Sequence, residues 1–210
     1  GVYLKKTASA LYARGHTVVV ITLSDRDLQW QDHGVQVHEI ARRKVTWPEP
    51  IPRFGWLTAR CLEIAIDRWR IRRAVMALHA QTPFSVIQIA SYGFVGLLLP
   101  RNIAVEICRL SSISRLCRIA YGRPKEALGT LHEKLEKMQI RRANFVFAPS
   151  KLIAALAMEE FGVVSSVIPT IPPQLDSLQE DFSFYDDHLS DLRYLLYFGQ
   201  LSGIKGADLM

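Results

Sequence analysis

Cysteine is scarce in this 210-residue sequence: Cys61, Cys108 and Cys117 are widely spaced, with no C-x-x-C pair. An odd count without ligand spacing excludes a disulfide framework or zinc ribbon and favours a reducing compartment. The 12 Gly and 10 Pro follow no period, which excludes a collagen-like or low-complexity chain. No secretory leader is visible, because the chain opens on Gly1-Val2-Tyr3 and meets Lys5-Lys6 at once. An initiator Met is also missing, so residues upstream of Gly1 are expected. Neither a Walker A sequence nor G-x-S-x-G occurs. His132-Glu133 begins like the zinc motif H-E-x-x-H, but Glu136 stands where the second His belongs. No metal is therefore expected.

Charge is lacking altogether from Ala74 to Pro100, a run long enough to suggest a membrane span. His79, Gln81, Pro83, Gln88, Gly93 and Gly96 punctuate it. That pattern suits a helix end, a turn, a buried strand and a new helix. What is present is ordinary for a globular protein: 49% hydrophobic and 22% charged residues, with 26 basic against 20 acidic side chains, a net +6. This much apolar side chain offsets the entropy of folding and excludes disorder. The length allows one large domain, or one domain plus part of another.

Along the chain, Leu4, Ala8, Leu11 and Tyr12 fall at helical spacing, and Gly15 stops the helix. Thr17 to Leu23 is a β-branched run typical of a strand buried on both faces. A strand at Val35 to Ile40 follows the polar turn Asp32-His33-Gly34. Pro48, Pro50 and Pro52 mark a loop from Thr46 to Gly55. A long helix is predicted over Trp56 to Ala80, then a strand at Phe84 to Ile89, a helix at Gly93 to Leu99 and a strand at Ile103 to Ile107. The charged helix Pro124 to Arg142 is expected to bury Leu128, Leu131, Leu135 and Met138. A strand at Asn144 to Ala148, a Ser150-capped helix to Phe161 and a short strand at Ser166 to Ile168 follow.

Helices alternating with short apolar strands predict an α/β fold, a doubly wound parallel sheet. Pro169, Pro172 and Pro173, then the polar stretch Asp176 to Asp191, read as a linker. A new strand at Leu192 leads into a glycine turn, so residues 1–170, 171–191 and 192–210 are expected to be domain, linker and the start of a second domain.

Two segments carry candidate binding chemistry. Arg68-Trp69-Arg70-Ile71-Arg72-Arg73 mixes cations with an aromatic, as membrane-surface and nucleic-acid segments do. The favoured reading is a helix that buries Trp69 and Ile71 while its arginines snorkel; no nucleic-acid partner is expected. Weak attraction to an anionic membrane stays open at pI ≈ 9.4. Gly199-Gln200-Leu201-Ser202-Gly203-Ile204-Lys205-Gly206 follows a predicted strand and precedes a helix. Backbone N–H groups in such a turn point at phosphate, and Lys205 can neutralise it. Glu133 and Glu136 with Lys134 and Lys137 read as a solvated helix face.

Together these pieces resemble a family 4 retaining glycosyltransferase of the GT-B fold. Its opening glycine loop, helix and Arg-Gly-His are similar to Gly1-Val2-Tyr3 and Ala13-Arg14-Gly15-His16. Its Arg-Arg-Ala-Asp, strand and Pro-Ser resemble Arg141-Arg142-Ala143-Asn144 and Pro149-Ser150. Val167-Ile168-Pro169-Thr170 matches its hinge, and Gly199-Gln200-Leu201 to Lys205-Gly206 its donor-domain turn.

The resemblance implies sugar transfer from a nucleotide-diphosphate sugar to a glycan, lipid or small-molecule acceptor, in the cytoplasm or at the inner face of its membrane. The nucleotide sugar is a co-substrate, and no cofactor or metal is implied. Gly1, Gln200 and Lys205 would bind the donor diphosphate. Tyr92, Gly93 and Ser112 would lie on the acceptor side, and Ser111 and Arg109 are the candidates nearest the chemistry. Most of the family's first strand would lie upstream, and most of its second domain downstream.

The sequence departs from the family at Gln200, where an Arg is common, at Ser111, at Gln88 and Ser91, and at Thr170. A catalytically degenerate binding module is therefore the alternative. A third reading, another Rossmann-like enzyme, would need a complete G-x-G-x-x-G at the first strand.

Overall fold

The computed structural model describes residues 2–44, 53–122, 127–170 and 182–193. The expected loop around 46–52, the start of the helix at Pro124, the strand after Leu192 and the Gly199–Gly206 turn lie wholly or mainly outside them.

Helix α1 (Val2–Ala13) ends where Gly15 takes a φ of +86°, and leads into β1 (Val19–Ser24). Strand β1 is half-buried with Thr22 exposed, not buried on both faces as its β-branched run suggests. A strand not foreseen, β2 (Leu28–Asp32), pairs antiparallel with β3 (Val35–Ala41). Their turn is His33-Gly34, with φ positive at both residues (47° and 84°), the conformation that matches hairpin twist. Glycine is required at 34 for a second reason: a Cβ there would lie 2.0 Å from the Tyr12 ring.

Helix α2 (Arg53–Gln81) buries Ala59, Ile71 and Val75 and crosses to β4 (Val86–Ala90). Its Trp69 corrects the sequence expectation: it is 51% exposed, on the side away from buried Ile71. After β4 only a single 3-10 turn, Tyr92–Phe94, forms in place of the expected helix. Gly93 (φ 74°) and Phe94 (φ 41°) both leave helical space, and strain of that kind persists only where the surroundings fix it.

Strand β5 (Val105–Arg109) is followed by α3 (Ser114–Ala120), which lies in a stretch without a readable pattern. Helix α4 (Ala127–Arg142) precedes β6 (Phe145–Ala148), and α5 (Lys151–Phe161) precedes β7 (Ser166–Val167). As expected, the Ser150 hydroxyl caps α5, accepting the Ile153 N–H at 3.3 Å; Gly162 closes the helix in the left-handed region. A short helix, α6 (Ser183–His188), sits within the segment expected to be linker.

Helix α4 turns a different face inward from the one expected. Leu131 (40% exposed) and Met138 (58%) are outside, while Gly129, Glu136, Gln139 and Ile140 are buried. Glu136 is therefore not on a solvated face. Glu133 pairs with Arg118 of α3, and the Arg142 guanidinium donates to Glu106 at 2.7 Å and to Leu99 O at 2.8 Å.

The strands form two sheets, β1-β3-β2 and the all-parallel β4-β5-β6-β7. Their cores merge beneath α2, where Ile40, Ile71, Val75, Ile89, Cys108, Leu110 and Ile140 share one cluster with Ile21 and Leu23. Yet among the described residues β1 pairs only with β3, and β4 only with β5. Among the described residues, no helix is long and apolar enough to cross a membrane.

Candidate active site at the strand ends

Parallel register brings the C-terminal ends of β4 to β7 to one edge: Ala90 opposes Arg109, Arg109 opposes Phe147, and Ala148 opposes Val167. Open α/β sheets bind ligands at this edge. The segments that emerge there are Ser91-Tyr92-Gly93, Leu110-Ser111-Ser112 and Ile168-Pro169-Thr170.

Arg109 joins three of these elements. Its guanidinium lies 3.7 Å from the centroid of the Tyr3 ring, in the first turn of α1, and donates to the Thr170 hydroxyl at 3.3 Å. The side chain is half-buried, and among the described residues no carboxylate pairs with it. A cation held by a π face and a hydroxyl keeps its charge available to an anionic ligand.

The acceptor-side candidates are held by a polar network under the same edge. Ser91 is fully buried; its hydroxyl accepts the Ser111 N–H at 3.4 Å and donates to Ser112 O at 3.3 Å. Buried Gln139 takes up the remaining backbone groups. Its amide donates to Ala90 O (2.8 Å) and Ser91 O (3.3 Å), and its oxygen accepts the Gly96 N–H (2.7 Å). One turn earlier on α4, Glu136 accepts the Ser114 N–H at 3.3 Å, fixing the loop beyond Ser112. Burial pushes the Glu136 carboxyl up to about 7, and its other oxygen has no hydrogen-bond partner among the described residues. Burial, then the neighbouring Glu136 and Glu106, push the Cys108 thiol up to about 12, which leaves it inert.

Tyr92 is 61% exposed at the mouth. Beside it, Arg68 of α2 donates to Gly93 O at 2.8 Å and lies 5.1 Å over the Phe94 ring. The edge of that ring meets His132 at 5.2 Å; burial, then Arg60, Arg68 and Arg118, hold this imidazole below its usual range. A depression of about 450 Å³ lined by Tyr12, His16 and Gly34 lies at the opposite, N-terminal ends of β1 and β3, away from these groups.

The structure thus places Arg109, Ser111, Ser112, Tyr92 and Gly93 along one edge of the sheet. Gly1, Gln200 and Lys205 lie outside the described residues. Sequence reading missed Gln139 and Glu136 as supports. The available signal was their i, i+3 spacing beside Ile140.

Residues 1–174 match the family described as the glycosyl transferase 4-like domain. The chain belongs to that glycosyltransferase family. No curated protein matches the chain. Among solved structures it is similar to the sucrose-phosphate synthase of Thermosynechococcus elongatus, at 17% identity and a TM-score of 0.55. That likeness covers 80% of this chain and 41% of the synthase, so the chain spans about two fifths of it. The α/β architecture matches the Rossmann-like fold of GT-B glycosyltransferases.

Proposed function

We propose that the full protein transfers a sugar from a nucleotide-diphosphate donor to an acceptor hydroxyl with retention of configuration. In this reading residues 1–170 form the acceptor-side domain, 171–191 the linker and 192–210 the start of the donor domain. The observation that carries it is Arg109, a cation that pairs with no carboxylate among the described residues, at the C-terminal strand edge between α1 and the Thr170 segment.

Breaking the anomeric C–O bond builds negative charge on the departing diphosphate, and oriented cations and N–H groups stabilise that charge. Arg109 supplies one cation, while Lys205 and the Gly1 and Gln200 segments complete the cradle. The acceptor lies along Tyr92, Gly93 and Ser112, where Arg68 donates to the Gly93 carbonyl and Ser91 to the Ser112 carbonyl. Ser111, exposed beside them, is the hydroxyl nearest the reacting groups in this reading. No metal or cofactor enters the scheme.

The test is to incubate the full-length protein with a panel of nucleotide sugars and follow nucleoside diphosphate release, with the anomeric configuration of any product read by NMR. Release from one donor with a retained product is expected, together with loss of donor binding in Lys205→Ala. If no nucleotide sugar binds, the enzyme reading fails and a catalytically degenerate binding module replaces it.

A further inference from the structure

Helix α3 is held to the domain mainly by polar contacts. None of its residues is buried, and of them Leu116 packs, half-buried, on the core cluster. Ile113, just before the helix, is 2% exposed and anchors its start. Arg115 pairs with Glu160 of α5. Arg118 lies against Gly129 of α4, where a Cβ would collide with it, and reaches Glu133. The third contact differs in kind: the Ser114 N–H donates at 3.3 Å to Glu136, a carboxyl only 1% exposed.

Glu136 stands where α4, α3 and β5 meet, and no positive charge answers it. Arg118 of α3 and Arg142 of α4 are committed to Glu133 and to Glu106 of β5. Lys137 donates to Glu160 O, and His132 meets the edge of the Phe94 ring. Among the described residues no cation pairs with Glu136; its neighbours are Glu133, Glu106 and the buried Cys108 thiol. Its second oxygen is buried without a hydrogen-bond partner. A neutral carboxyl tolerates such a place, whereas a carboxylate there needs water. Burial holds the group up at about 7, so the change falls near neutral pH. Lifting α3 admits that water at the least cost, because it exposes no buried residue of the helix.

We propose that α3 is a proton-operated flap: with Glu136 protonated it docks on α4, and when Glu136 ionises it swings out about Ile113 and lets water reach the carboxylate. The proton passes to solvent, and only the carboxyl O–H bond breaks. Because α3 begins just beyond Ser111 and Ser112, its docking sets one wall of the strand-end site. The site is closed on that side in mild acid and opens as pH rises through 7. The consequence for sugar transfer rests on the function proposed above; the flap itself does not.

The test is amide hydrogen exchange of the full-length protein at pH 5.5 and pH 8.5, read by mass spectrometry against unstructured peptides at the same pH. Protection of α3 should fall about 30-fold between the two, as expected for a carboxyl at about 7 when docked and 4.5 when released. Protection of α4 should hold at both values, which marks the opening as local. Glu136→Gln cannot ionise, and its α3 should be equally protected at both. Arg115→Leu removes an exposed ion pair and should keep the 30-fold ratio. The proposal is overturned if α3 of the parent is equally protected at both pH values, or if Glu136→Gln keeps the fall. It is equally overturned if Arg115→Leu abolishes the ratio, or if α4 loses protection in step with α3. Calorimetry with a nucleoside diphosphate at the same pH values tests the transfer reading separately. Absence of binding at both would remove that reading and leave the flap to be decided by exchange.

Discussion

The Arg109 guanidinium stacks on the Tyr3 ring at 3.7 Å, tying the C-terminal end of β5 to the first turn of α1. The ring holds the cation in place without neutralising it, as a carboxylate would. Tyr3→Leu keeps the bulk but removes the π face. It is expected to weaken nucleoside diphosphate binding to the full-length protein roughly three- to tenfold, read by calorimetry, with little change in melting temperature.

Glu136 gives the fold a pH dependence of definite sign. Its carboxyl is raised from 4.5 to about 7 by burial, so between those values the native state binds more protons than the unfolded chain. The stability it contributes is complete below about pH 4.5 and is lost as pH rises through 7. Glu136→Gln should flatten that slope and raise stability at pH 8 by on the order of 2 kcal/mol. Urea unfolding at pH 5 and pH 8 measures both effects.

Gln139 satisfies three backbone groups of the segment 90–96 at once. Gln139→Leu preserves volume but strands them, at a cost of about 3 kcal/mol, since each unsatisfied buried group costs on the order of 1 kcal/mol or more. Hydrogen exchange should quicken at Gly96 before the rest of the domain.

Among the described residues β1 pairs only with β3 and β4 only with β5, above one shared core, so each has an edge that a further strand can take. A right-handed crossover through α1 puts a strand upstream of Val2 parallel to and beside β1. It would cover Leu4 and Leu11, 40% and 39% exposed on either side of buried Ala8, and Val86, 52% exposed at the β4 edge. A chain extended by its natural upstream residues should therefore melt higher than the 210-residue chain and exchange the amides of 19–24 and 86–90 more slowly. Equal melting and exchange in the two chains would refute the strand.

Most parallel strands were legible because they are short, largely apolar runs bounded by turn residues, as in Val86–Ala90 and Phe145–Ala148. Strand β2 was not, since Leu28-Gln29-Trp30-Gln31-Asp32 is polar at alternate positions and its support is the hairpin turn at His33-Gly34. The helix expected at Gly93 to Leu99 failed because left-handed backbone at 93 and 94 is fixed by tertiary contacts, Arg68 and Gln139 among them. At the site, Arg109 and Ser112 followed from where strands end. Gln139 and Glu136 did not, because a buried polar face looks like a solvated one until the backbone groups it satisfies are in place.

Isothermal titration of a nucleoside diphosphate into the full-length protein and its Arg109→Met variant tests the central claim most directly. A charge-assisted contact contributes about 1.5–3 kcal/mol, so binding at least tenfold weaker is expected, with the melting temperature kept. Equal affinity in the two proteins would remove Arg109 from the donor site and contradict the account.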